Sequence, residues 1–210
     1  MEGGTARLQS PRSSPAVSPV SASSLADEIL YRIAADLSLL LDRELVVEEC
    51  SGERAERRAA GPGEVHVSFR FALVEGGGAS QGCLLVPLKE AQTLAGLLRF
   101  LTDSQVQSLR EADRPDDANR DAMLELATFF AGCVGNVLRE SLPEAPEVHS
   151  AGCQGVRADV RPTLAYHEGD PLWVVRCRMS LADFGAFDLW LQLPEGALGA
   201  AAESPPESEV

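Results

Sequence analysis

Lysine is nearly absent: Lys89 is the only one in 210 residues, and the other basic side chains are arginine. With abundant Ala, Gly and Leu, this reads as a compositional bias and carries no functional inference. Positive charge is scarce overall. Lys and Arg number 18 against 32 Asp and Glu, a formal net charge of −14. A nucleic-acid binder needs a basic face to displace counterions, and an anionic membrane surface recruits the same charge. The sequence therefore argues against both partners. Cysteines are few and scattered: Cys50, Cys83, Cys133, Cys153 and Cys177 form no C-x-x-C. His66, His149 and His167 sit at zinc-ligand spacing to none of them. The five thiols read as buried small hydrophobes in a reducing cytoplasm, and no metal site is expected. The N-terminus shows no apolar signal-peptide core. No run approaches ~18 uninterrupted apolar residues, so no membrane span is expected and the expected location is cytoplasmic.

What is present is an ordinary globular composition, 45% hydrophobic. A chain of this length buries roughly 70% of its unfolded surface and needs no staples. Residues 1–24 are rich in Ser, Pro, Gly and Ala, with Pro11, Pro15 and Pro19 interrupting any period. They read as a disordered leader. Residues 195–210 carry Glu195, Glu203, Glu207, Glu209 and the pair Pro205–Pro206, and read as an acidic disordered tail. The expected domain is 25–194.

Ser24 is a candidate N-cap with acids following, and Leu25, Ile29, Ile33 and Leu37 recur at helical spacing, predicting a helix over 25–41. A short strand is expected at 44–50 and a loop at 51–63. Val65, Val67, Phe69, Phe71 and Leu73 alternate as a half-buried strand does. His66, between them, reads as a surface or edge residue. Gly76–Gly78 form a turn rather than a phosphate loop, because no Lys-Ser/Thr follows. A third strand closes at Pro87, and Leu94, Leu97, Leu98 and Leu101 mark a helix over about 88–101. Residues 102–120 are polar and read as a connection. A long helix covers about 117–141. Strands are then expected at 156–160, 172–179 and 186–193, with a turn at Ala182–Gly185. Trp173 and Trp190 alternate with apolar residues and read as packing residues. Each half thus reads helix then strands, ending in a Gly and an apolar strand closed by Pro: 82–87 and 185–194. The expectation is an α+β fold of two pseudo-repeated α-β-β-β halves forming one sheet covered by helices.

The helix over 117–141 is apolar nearly all round, and its exceptions are ordered. At ~100° per residue, Asp121, Glu125, Thr128, Gly132, Gly135, Asn136 and Arg139 fall within roughly 60° of one line. Glu125 and Thr128, at i and i+3, are surface neighbours. One reading is the narrow polar face of an amphipathic helix, its glycines tolerated for close helix packing at about 1 kcal/mol each. The other is an exposed Glu-x-x-Thr pair flanked by glycines that admit a partner's backbone. Asp116 and Asp117, at its start, read as compensation of the helix dipole rather than a metal site.

Glu125-Leu-Ala-Thr128, with Gly132 one turn on, resembles the active-site helix of the CheX/CheC chemotaxis phosphatases, whose signature is Glu-x-x-Asn followed by a small residue. The order of elements over the folded part resembles CheX more than CheC, whose second Glu-x-x-Asn helix has no match in Glu28-Ile-Leu-Tyr31. The resemblance implies hydrolysis of the aspartyl-phosphate of a CheY-like receiver, which supplies its own Mg²⁺ and a Lys. The phosphatase then needs no cofactor and mainly positions the attacking water. Glu125 is implied to dock on the receiver's Lys, and Thr128 stands where the family's water-holding Asn belongs. Asp121, Gly132, Gly135 and Asn136 would line the contact. Threonine is a departure: one hydroxyl on a shorter, β-branched stem replaces a carboxamide. Phosphatase-competent histidine kinases of one large class resemble this alternative, with an acid-x-x-Thr or acid-x-x-Asn pair. Asn136 lies too far from Glu125 to restore the i, i+3 pair.

Two further readings stand beside the phosphatase. One is a non-catalytic receiver-binding module that kept the docking helix. The other is a structural piece of the related flagellar-switch proteins. By analogy with CheX, a homodimer through a shared sheet edge is compatible with the sequence, which does not decide it. Residues 103–125 hold seven acids against three arginines. A receiver's phosphorylation pocket is itself acidic, so a local contact such as Glu125 to a lysine must set the docking.

Overall fold

Ser21, not Ser24, caps the first helix. The structure is a computed structural model that describes residues 21–165 and 169–198. Residues 1–20 of the expected leader and 199–210 of the expected tail lie outside the described residues. Helix α1 (Ala22–Leu41) starts where the Ser21 hydroxyl accepts the Ser24 N–H at 3.1 Å. It is therefore one turn longer than expected, and Asp27 and Glu28 fall in its second turn. Strands β1 (Leu45–Ala55), β2 (His66–Glu75) and β3 (Gly78–Pro87) follow. Then come helices α2 (Leu88–Leu98), α3 (Asp103–Arg110) and α4 (Asp117–Ser141) and strands β4 (Glu147–Val156), β5 (Leu172–Leu181) and β6 (Gly185–Pro194).

The six strands make one antiparallel sheet in the order β1-β5-β6-β3-β2-β4. Exchanging each strand of the first half with its counterpart in the second (β1 with β4, β2 with β5, β3 with β6) reproduces this order read backwards. The two halves are therefore related by a pseudo-twofold axis between β3 and β6, where Leu84 pairs with Leu191. Both edge strands carry a β-bulge. In β1 it falls between Val47 and Glu49, and in β4 opposite Phe69–Phe71. The β1 bulge has a clear cause. Leu45 and Val47 point to the core, but Glu48 and Glu49 follow in sequence, and strict alternation would bury Glu49. One extra residue resets the phase, so that Cys50 rather than Glu49 faces inward. In β4 the extra residue includes Gly152 at φ 75°. That break in alternation is why the strand is misplaced by sequence: it spans 147–156 and ends where 156–160 was expected to begin.

The two glycines of the pseudo-repeat do different work: Gly185 opens β6, whereas Gly82 lies in the middle of β3. Gly185 adopts φ 92° in the β5–β6 turn. At Gly82 the Phe71 ring lies across the α-carbon; an added Cβ would meet Phe71 Cε2 at 2.4 Å and the Gln192 carbonyl at 2.6 Å.

Helices α1, α2 and α4 cover one face, where Leu25, Ile29, Phe69, Phe71, Phe130 and Leu191 form the core. Helix α3, not expected, occupies part of the polar connection. Only Val106 of it is buried, so it lacks an apolar period. Its signal was a capping box: the Gln105 side chain accepts the Thr102 N–H at 2.9 Å. Segments 56–65 and 157–165 cross the second face of the sheet. They are held by Ala59 N–H to Gln192 Oε1 and by Gln81 N–H to the Ala165 carbonyl, each at 2.9 Å. That cover corrects the reading of His66, which is 1% exposed rather than at the surface. Its Nδ1 lies 2.8 Å from the Glu64 carbonyl and its ring meets Trp190 edge-on. The domain also runs past 194. Residues 195–198 form a 3₁₀ turn with Leu198 fully buried, and Glu195 pairs with Arg54 at 2.7 Å.

Helix α4 starts at Asp116, whose carboxylate accepts the Asn119 N–H at 2.7 Å. Asn119 is itself buried and bound by Arg99, which also reaches Asp116 at 3.6 Å. Asp116→Ala should therefore cost about 1–2 kcal/mol, the upper part of the range for an N-cap. Urea unfolding checks this. Asp117→Ala, whose side chain only meets exposed Arg120, should change little.

Candidate functional site: the exposed stripe of α4

Helix α4 has the length and apolarity of a membrane span, and most of its apolar stretch is buried inside the fold. It lies between α1, α2 and β4 with Met123, Leu126, Phe130, Val134, Val137 and Leu138 buried. What remains outside is one stripe. Asp121, Glu125, Thr128, Gly132, Asn136 and Arg139 are all exposed, at the spacing the sequence implied.

Gly135 is the exception and corrects the expected contact set. It is buried, and a Cβ there would stand 3.2 Å from the Val148 Cβ of β4. Its lack of a side chain serves internal packing. Gly132 is the opposite case. It is exposed, and nothing lies within 4 Å of the Cβ position. No intramolecular packing asks for glycine there. Gly132→Ala should thus stabilise the helix by up to about 1 kcal/mol, whereas Gly135→Ala should not, because Val148 must yield. Equal stabilisation of the two variants in chemical denaturation would contradict this division.

Glu125 makes no ion pair or hydrogen bond with any described residue, and neither does Asp121. Both carboxylates face solvent uncommitted. Thr128 is more constrained. Its hydroxyl donates to the Leu124 carbonyl one turn back, at 3.2 Å. This spends its only proton and fixes the oxygen, leaving lone pairs to accept from outside. An incoming water can therefore donate to Thr128 Oγ1 and keep its own lone pair free for attack. The Asn136 carboxamide is engaged by Arg139 at 3.1 Å, so it is no stand-in for the missing Asn.

One residue of the surface was missed. Leu124 is 48% exposed beside Glu125 and one turn before Thr128. Its Cδ2 lies 3.8 Å from the Cβ position of Gly152 in the β4 bulge. The same helical-wheel arithmetic places Leu124 at the edge of the stripe, but an apolar residue on an apolar helix gave no reason to single it out. The site is therefore a convex strip with a carboxylate, an oriented hydroxyl, a bare glycine and an apolar edge. Two clefts, of about 680 and 380 Å³, lie elsewhere, around Glu64, Lys89 and Arg110, and α4 lines neither.

No family model and no curated protein matches the sequence. Solved structures do match the fold. FliY of Thermotoga maritima superposes with a TM-score of 0.58 at 14% identity, over 85% of this chain and 90% of that one. A chain of the H. pylori FliG–FliM complex gives 0.58 at 8% identity, over 83% and 93%. The chemotaxis protein CheX of Desulfovibrio desulfuricans gives 0.52 at 12% identity, over 80% and 98%. The chain has the α+β fold shared by the CheX-, CheC-, FliY- and FliM-type chemotaxis proteins.

Proposed function

We propose that this CheC-like domain docks on the phosphorylated receiver domain of a response regulator through α4 and speeds loss of its aspartyl-phosphate. The observation that carries the reading is the pair Glu125 and Thr128. They are exposed and adjacent on a helix whose opposite side is buried in the core, and neither role they would play is taken up inside the molecule. In the proposed reaction water attacks phosphorus in line, the P–O bond to the receiver's aspartate breaks, and inorganic phosphate leaves. The receiver would bring its own Mg²⁺, which would offset the phosphoryl charge. Glu125 would pair with a lysine of the receiver and set the register. Thr128 Oγ1 would accept a hydrogen bond from the attacking water, and the Leu124 carbonyl holds that oxygen in place.

The second reading, a receiver-binding module without catalysis, draws on the same hydroxyl. Threonine reaches less far than asparagine, and the Leu124 bond holds its oxygen close to the helix. The fold likeness to a chain of a FliG–FliM complex fits such a binding role. The experiment is phosphate loss from a phospho-receiver encoded beside this chain, with wild type and Thr128→Asn compared. Acceleration by wild type supports the phosphatase. Binding without acceleration, with acceleration restored by Asn, selects the module. If the chain neither binds the receiver nor accelerates its phosphate loss, the proposal falls.

A further inference from the structure

We infer that Cys50 and Cys177 form a redox pair that closes to a reversible cross-strand disulfide, stapling edge strand β1 to β5. The inference is independent of the proposed function, since the pair lies in the β1 half of the sheet and α4 packs against β4 at the other edge.

The juxtaposition is built by the fold. Cys50 and Cys177 are direct partners in the antiparallel register, with 127 residues between them in sequence. Residues directly opposite on antiparallel strands have Cα atoms ~4.5–5.5 Å apart, inside the span a disulfide accepts. The β1 bulge creates this match. Without the extra residue after Val47, Glu49 would stand opposite Cys177 and Cys50 opposite Arg176. Both thiols are free and their sulfurs lie 2.8 Å apart. The other three cysteines, Cys83, Cys133 and Cys153, sit on β3, α4 and β4, and none has another sulfur as a hydrogen-bond partner.

The two sulfurs differ in access. Cys177 is fully buried, whereas Cys50 is half-buried on the edge strand. Cys50 is thus the entry thiol. With a low-molecular-weight disulfide as oxidant, the Cys50 thiolate attacks one sulfur and releases one small thiol. Cys177, as thiolate, then attacks the Cys50 sulfur of the mixed disulfide and releases the second. Two protein thiols are oxidised, one small disulfide is reduced to two thiols, and the two protons lost from the cysteines protonate the released thiolates. Burial pushes both thiols up, and the charged neighbours facing the pair are acidic: Asp27 of α1, Glu49 of β1 and Asp188 of β6. Oxidation should therefore be slow at neutral pH and faster as pH rises.

The test uses the full chain, reduced and then exposed to oxidised glutathione. The expected result is a fall from five titratable thiols to three after denaturation, and a proteolytic fragment joining Cys50 to Cys177. The closed form should melt about 5 °C or more above the reduced form, and dithiothreitol should reverse both changes. Cys50→Ser, at a half-buried edge position that tolerates a hydroxyl, should keep the fold and lose the linkage. Cys177→Ala, in the core, is the second variant and should accumulate a glutathione adduct on Cys50. Five thiols persisting, a linkage between other cysteines, a wild-type adduct on Cys50 that never resolves, or an unchanged melting temperature in the linked form would each overturn the inference.

Discussion

Thr128→Val is expected to lower kcat for phosphate loss from the receiver about 10²-fold while leaving KM unchanged. Valine keeps the branched shape and removes only the oxygen. On the proposed reading that oxygen meets the attacking water alone, and a single positioned hydrogen-bonding group is worth ~10²-fold or more. Glu125→Ala should fail differently. Truncating one member of a hydrogen-bonded charge pair across an interface costs about 2–5 kcal/mol, here expressed in KM because the pair forms on docking. Both side chains lie in solvent on a helix held by its other faces. Their replacement should change stability by less than about 0.5 kcal/mol, so lost activity cannot be ascribed to unfolding. Single-turnover decay of phospho-receiver across a range of concentrations of this protein separates the two parameters. If both variants match wild type, α4 is not the site.

Phe130→Ala should lower the unfolding free energy by about 3–5 kcal/mol, up to about half or more of the stability of an ordinary domain. Phe130 is 1% exposed and lies two residues beyond Thr128 on the opposite side of α4. Its ring meets Phe69 of β2 edge-on at 5.0 Å and Phe129 at 5.8 Å. The substitution removes the contact that seats α4 on the middle of its half-sheet. The cavity would be bounded by rigid strands and would collapse little. Urea midpoints report the loss. A cost below about 1 kcal/mol would mean that α4 is held mainly by its ends.

The candidate site was legible because it lies on one helix. A 3.6-residue period is local, so the wheel placed Asp121, Glu125, Thr128, Gly132 and Asn136 on the outer face with no knowledge of the fold. It failed at Gly135 for a definite reason. A helical wheel assigns angles but cannot say which flank a neighbouring strand will cover, and Val148 covers that one. Leu124, at a nearby angle, stays half exposed because its neighbour across the bulge is Gly152, which has no side chain. The pseudo-repeat was faint in sequence because its two halves share element order more than residues. In the sheet it becomes a symmetry of strand order.

By itself, then, the sequence determined the acidic balance, most of the helices and strands though neither α3 nor the place of β4, and the polar stripe on α4. These follow from composition and short-range periodicity. Only the tertiary structure decided which strands are neighbours and where the two bulges reset the register. It also decided that His66 and Leu198 are buried, and that Cys50 meets Cys177 across 127 residues of chain. These depend on pairings between distant segments, and a one-residue slip in a strand reverses every side chain on it. The two adjacent glutamates in β1 interrupt its alternation without saying where the register shifts. Only the partner strand, with Cys177 waiting opposite, showed how it is resolved.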